Sequence, residues 1–114
     1  MKLITIDIKS EKQTVAEAIA QFLVEVEAYK KGGYKVMKVI HGYGSHGVGG
    51  AIKNEFLKQC QNLKNRKVIE DFTCCDKWTD KNVVKKIAIN YCPDLIADGE
   101  LRLLNPGCSI IIMS

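Results

Sequence analysis

This sequence has few of the features that label a protein at sight. Its five cysteines, Cys60, Cys74, Cys75, Cys92 and Cys108, show no C-x-x-C spacing and no secretory context, so free thiols are expected in place of a disulfide framework or a paired-cysteine zinc site. Cys60 and Cys108 lie in apolar segments and read as small core residues; a zinc site built from Cys74 or Cys75 with remote ligands is the alternative. No G-K-[ST] occurs, which excludes a Walker phosphate loop. The apolar run in M-K-L-I-T-I-D-I-K is short and broken by Thr5 and Asp7. Neither a signal peptide nor a membrane span is read there, and a cytoplasmic location is expected. There is no internal repeat, low-complexity tract or linker, so residues 1–114 are expected to form one domain. Charge is also sparing: 17 Lys+Arg against 13 Asp+Glu leave +4, which suits an anionic partner without specifying one.

What is present reads as alternating strands and helices. Residues 3–8 alternate, Ile4, Ile6 and Ile8 on one face and Leu3, Thr5 and Asp7 on the other, as a strand requires. T-V-A-E at 14–17 is a capping box. The helix it opens carries Val15, Ala18, Ile19, Phe22, Leu23, Val26 and Tyr29 at three- and four-residue steps and stops at Gly32–Gly33. Residues 34–40 then complete a β-α-β unit, which predicts parallel first and second strands whose ends, carrying Asp7 and His41, share one sheet edge. Ala51 to Leu63 reads as a second helix with Lys53 in its first turn. A third strand is expected over 66–72. A third helix should start from Thr79 or Asp80 and end at Pro93, with Leu95–Leu104 as loop. Trp78, the single tryptophan, suits a cover over the core edge or a stacking platform. C-S-I-I-I-M at 108–113 is uninterrupted enough to be a central strand buried on both faces.

The stretch from Val36 to Lys53, V-M-K-V-I-H-G-Y-G-S-H-G-V-G-G-A-I-K, organises the rest. Gly42, Gly44, Gly47, Gly49 and Gly50 follow the second strand and lead into a helix. That is a setting in which backbone N–H groups hold phosphate. Gly42, Gly44 and Gly47 satisfy the dinucleotide pattern G-x-G-x-x-G, but the position is wrong for it. The loop closes the first β-α-β unit where that motif opens it, and Glu70 and Asp71 lie too far on to serve as the ribose acid. A lysine early in the second helix is disfavoured by the helix dipole, which points to an anionic ligand.

The same stretch resembles the second signature of the Smr domain, the small MutS-related module: a strand ending in H-G-x-G, a small or glycine-rich turn, then a helix opening with an apolar and a basic residue. His41, Gly42 and Gly44 match the first part. Ile52 and Lys53 match the second, with lysine where arginine is common. The family's first signature, L-D-L-H-G, corresponds here to I-D-I-K-S at residues 6–10, which keeps Asp7 and replaces the histidine by Lys9 and the glycine by Ser10. The segment from about 74 to 105 is longer than the family's usual link before the last strand.

The resemblance implies an α/β (α+β) two-layer domain of order β-α-β-α-β-(α)-β with a mixed sheet, similar to the C-terminal domain of translation initiation factor three. Members of the family bind DNA or RNA, and several cut it as nicking endonucleases or endoribonucleases. On this reading Lys9, Gly42, Tyr43, Gly44, Ser45, His46, Gly47 and Lys53 contact nucleic acid. Asp7 and His41 are the candidate catalytic residues, with a divalent metal if the chain cleaves. Lys9 in place of the family histidine removes a group that could activate water, so binding is expected ahead of cleavage. The alternative from another class is a non-catalytic module that contacts a protein partner through 78–104.

Overall fold

The computed structural model describes residues 3–9, 13–43 and 48–114. The elements in chain order are β1 (Leu3–Asp7), α1 (Val15–Lys31), β2 (Val36–Ile40), α2 (Val48–Asn65), β3 (Ile69–Cys74), α3 (Val83–Tyr91), α4 (Gly99–Arg102) and β4 (Cys108–Met113). Short 3-10 turns fill Cys75–Lys77 and Pro93–Ala97. The capping box at α1 is complete, with the Glu17 N–H given to Thr14 Oγ1 at 3.1 Å and the Thr14 N–H given to Glu17 Oε1 at 2.8 Å. Gly33 follows the helix at φ 87°, where only glycine is unstrained.

The sheet is mixed, in the order β1-β2-β4-β3. β1 and β2 are parallel, with Asp7 opposite Ile40. β4 runs antiparallel to both β2 and β3. All six of its residues are buried, as the unbroken apolar run 108–113 requires of a strand flanked on both edges and covered on both faces.

Alternation along the strands divides the core in two. On one face, Ile6, Ile8, Met37, Val39, Ile111 and Met113 meet α1 and α2 through Phe22, Val26, Ile52, Phe56 and Cys60. The Phe22 and Phe56 rings meet edge to face with centroids 4.7 Å apart, a geometry that adds about 1 kcal/mol beyond area burial. This is the two-layer α/β arrangement expected from the sequence. On the other face, Val36, Ile110, Ile112 and Cys108 are covered by Trp78, Val84, Ala88, Leu95 and Leu101. The segment between β3 and β4 is thus a lid of side chains over the second face of the sheet, with Trp78 part of that cover.

Lys38 lies in this second core. Its side chain crosses the covered face and its Nζ reaches Asp98 at 2.9 Å and Glu100 at 2.5 Å. Burial alone would push the lysine pKa down. The hydrogen bonds it donates to Glu100 and Asp98 outweigh this and hold the group above its ordinary value. Asp98 is at the same time the N-cap of α4, accepting the Leu101 N–H at 3.1 Å.

Several boundaries differ from those read in the sequence. α2 starts at Val48, which places Lys53 beyond the first turn. α3 is capped by Asn82 and not by Thr79 or Asp80. The Asn82 Oδ1 accepts the Lys85 N–H at 3.0 Å while its amide donates to Thr73 Oγ1 at 2.9 Å and to the Lys77 carbonyl at 2.7 Å. The expected loop at 95–104 contains α4 and most of a 3-10 turn, held by Leu95 and Leu101 in the core. β3 begins at Ile69, after Lys67 turns the chain at φ 62°.

Lys38 is enclosed while the Asp98 and Glu100 side chains keep 18% and 42% of their surface, so Lys38→Met, which removes charge-assisted hydrogen bonds and leaves partly solvated carboxylates, should lower the free energy of unfolding by about 1 to 2 kcal/mol. The double variant Lys38→Met/Asp98→Leu should recover part of that loss. Urea denaturation of the three proteins measures both.

Candidate functional site

Parallel pairing brings the carboxyl ends of β1 and β2 to one edge of the sheet. The Ile8 N–H donates to the Ile40 carbonyl at 3.0 Å, so the pairing of Asp7 with Ile40 extends one residue past the end of β1. Gln13 and Gln21 bind the β1 end from α1. The Gln13 amide donates to the Ile8 carbonyl at 3.1 Å and the Gln21 amide to the Asp7 carbonyl at 3.2 Å.

The two candidate catalytic residues use opposite faces of this edge. Asp7 alternates with Ile6 and Ile8, which face α1 and α2, and so belongs to the other face. Its Oδ1 accepts the Lys9 N–H at 2.8 Å, which shapes the turn after β1 and leaves the Lys9 side chain in solvent. His41 continues the Met37, Val39 series toward the helices. Its ring lies 4.9 Å from that of Phe56, centroid to centroid, and has no exposed surface.

Both His41 nitrogens are engaged. Nδ1 is 2.6 Å from the Gly42 carbonyl and Nε2 is 2.8 Å from Ser109 Oγ. A carbonyl only accepts, so the proton sits on Nδ1, and Nε2 of the neutral ring accepts from the Ser109 hydroxyl. Burial pushes the imidazole pKa down to about 4; the Gly42 carbonyl opposes this and the positive charge of Lys53 adds to it. At neutral pH the ring is an uncharged strut between the end of β2 and the start of β4.

The backbone repeats that link. The His41 and Gly42 N–H groups both donate to the Gly107 carbonyl, at 3.0 and 2.9 Å. Gly42 takes φ 74°, the left-handed turn that glycine adopts without a Cβ clash. Gly107 admits no side chain cheaply, since an added Cβ would lie 3.0 Å from Asn105 Oδ1 and 3.1 Å from Tyr43 Cδ1. Its N–H is given to Asn105 Oδ1 at 2.7 Å, the Asn105 amide donates to Glu100 at 3.2 Å, and Glu100 receives Lys38. One polar chain therefore runs from the buried Lys38 to the root of the glycine turn.

Beyond that root Tyr43 is 55% exposed, Lys9 is exposed and Lys53 half-buried. Lys53 lies near enough for its charge to act on the His41 ring. Gly44, Ser45, His46 and Gly47 lie outside the described residues. α2 follows with no acidic residue in its first turn. Among the described residues no group of three or more His, Cys, Asp and Glu side chains is placed to hold a metal ion, and no helix is long and apolar enough to cross a membrane.

Two residues of the site escaped the sequence reading, Ser109 and Lys38. Each is a lone polar side chain in a buried apolar strand. A buried polar group needs a partner, so each was a signal that something must reach in to meet it.

The His41 ring makes stability depend on pH. The unfolded chain takes up a proton below about 6.5 and the folded chain only near 4. The contribution is fully present above pH 6.5 and is lost as pH falls toward 4, in all about 3 kcal/mol. His41→Gln should be less stable at pH 7 and should lack that part of the acid-side slope, as urea unfolding at a series of pH values measures. No protein-family model matches this chain, and no curated protein matches it.

Proposed function

We propose that this chain binds the phosphate backbone of DNA or RNA at the edge where β1 and β2 end. The supporting observation is the opening of α2: an 18-residue helix without an acidic residue in its first turn, preceded in the sequence by the glycine-rich stretch 42–47, with cationic side chains nearby. The positive end of a helix dipole favours an anion, and that first turn supplies none of its own. Lys9 and Lys53 supply mobile positive charge, and Gly42 and Tyr43 present backbone and an exposed ring, with Gly44, Ser45, His46 and Gly47 joining them through the sequence motif. The resemblance to the Smr module supports the same reading.

In this proposal His41 is a positioning residue. A neutral ring with both nitrogens bonded and no exposed surface has no free lone pair or proton for a substrate, and Asp7 stands on the other side of the sheet. On this reading the edge grips nucleic acid, and His41 serves the fold of the grip. A second reading, contact with a protein through 78–104, is supported by the exposure of Ile96 and Leu103 on that segment, 63% and 83%.

Fluorescence anisotropy with single-stranded, duplex and branched DNA and RNA, titrated at several salt concentrations, tests the proposal. Binding should weaken with salt, with a log–log slope of roughly −2 for two lysine–phosphate contacts. Lys9→Ala and Lys53→Ala should each reduce the slope by about 1. No binding at low salt, or a slope that neither variant changes, overturns the proposal. Capture of a protein partner that is lost when the apolar side chains of Ile96 and Leu103 are replaced by serine would favour the second reading.

A further inference from the structure

The start and end of the 75–107 segment meet at a pair of cysteines with no part in the grip proposed above. In the β3–β4 ladder Cys74 is paired with Ser109. Cys75 leaves β3 for the 3-10 turn Cys75–Lys77, but Cys74 before it is still extended, at φ −73° and ψ 145°, so the chain enters that turn on the Cys108 side of the Cys74–Ser109 pair. Both side chains belong to the core on the covered face of the sheet, and both residues are fully buried. Ladder partners such as Cys74 and Ser109 lie about 4.5 to 5.5 Å apart at Cα, so two residues that flank such a pair are near the roughly 4.4 to 6.8 Å that a disulfide spans.

We propose that Cys75 and Cys108 are a dithiol that a peroxide converts to a cross-strand disulfide, tying the first residue of the segment to the strand that follows it.

The Cys108 thiol donates to the Asn105 carbonyl at 3.8 Å. Its interaction with Cys75 lowers its pKa against the effect of burial, and the positive charge of Lys38 acts in the same direction. Interaction with Cys108 and burial raise the Cys75 pKa. Cys108 is thus the group that reacts first. Its sulfur attacks one peroxide oxygen and the O–O bond breaks. The departing hydroxide leaves as water with the thiol proton, and Cys108 becomes a sulfenic acid. The Cys75 sulfur then attacks the Cys108 sulfur. The S–O bond breaks and the hydroxyl leaves as a second water with the Cys75 proton. The two thiols lose two electrons and the peroxide gains them.

Cys74 is the nearest competitor. Its thiol donates to the carbonyls of Cys108 at 3.4 Å and Pro106 at 3.6 Å, and its side chain is not part of the core cluster that holds Cys75 and Cys108. Cys60 lies in the other core, against the helices. Cys92 is in the same core as the pair, at the end of α3, and no β-ladder register brings it opposite either thiol.

The test uses the folded full chain treated with hydrogen peroxide, then alkylated, digested and mapped by mass spectrometry without reduction. The expected product has lost the mass of two hydrogen atoms and yields a Cys75–Cys108 linked peptide, with Cys60, Cys74 and Cys92 alkylated. Its Tm should rise by about 10 °C, for a loop of this length, and return on addition of dithiothreitol. Cys74→Ser should give the same product and Cys108→Ser should not. The wild-type map decides the pairing even if the Cys108 variant folds poorly. A folded chain that keeps all its thiols under peroxide, a cross-link through Cys74, or a linked product with a lower Tm each overturns the proposal.

Discussion

A buried lysine sets the terms for much of this structure. Lys38 belongs to β2, an interior strand whose neighbours are apolar on the covered face, and a cationic group there is costly unless it meets opposite charge. Asp98 and Glu100 meet it, and both come from the segment between β3 and β4. The ion pair thus does for the second face of the sheet what Phe22 and Phe56 do for the first. It decides where the covering segment sits. Because Glu100 also receives the Asn105 amide and Asn105 receives the Gly107 N–H, the same interaction fixes the carbonyl to which the glycine turn is tied.

His41 is the counterpart of Lys38 on the helical face. One is a buried charge matched by carboxylates, the other a buried base kept neutral by burial and matched by a carbonyl and a hydroxyl. Both hold neighbouring strands and their connections in place. In the proposed grip this leaves the work of meeting an anion to groups beyond the strut: Lys9, Tyr43, Lys53 and the backbone at Gly42. Rigid support under a polar, flexible-side-chain rim is what a phosphate backbone requires, since phosphate contacts position a nucleic acid without reading its sequence.

Much of the framework was legible because it is written locally. Thr14 and Glu17 announce a helix start in four residues, and Ile4, Ile6 and Ile8 announce a strand face. The parallel pairing of β1 and β2 follows from the helix between them. The rest depends on partners far away in the chain. Asn82 wins the capping position over Thr79 and Asp80 partly because its amide reaches Thr73 on β3. The short helices after Pro93 exist because Leu95 and Leu101 find the far face of a sheet. At the candidate site the motif H-G-Y-G located the turn, yet it gave His41 the appearance of a reactive group. Only its depth and its bond to Ser109, 68 residues on, reveal a strut.

The position of β4 has a consequence for biosynthesis. Among the described residues it is the last of four strands, but it lies between β2 and β3 and pairs with both. Until residues 108–113 have emerged from the ribosome, β2 and β3 each present an unpaired edge, and both cores lack the strand that joins them. Chains that end before Cys108 would carry adhesive strand edges and exposed Ile, Val and Leu side chains. Completion of this sheet therefore waits until residues 108–113 have been made, and chains shorter than that are the form most in need of a chaperone.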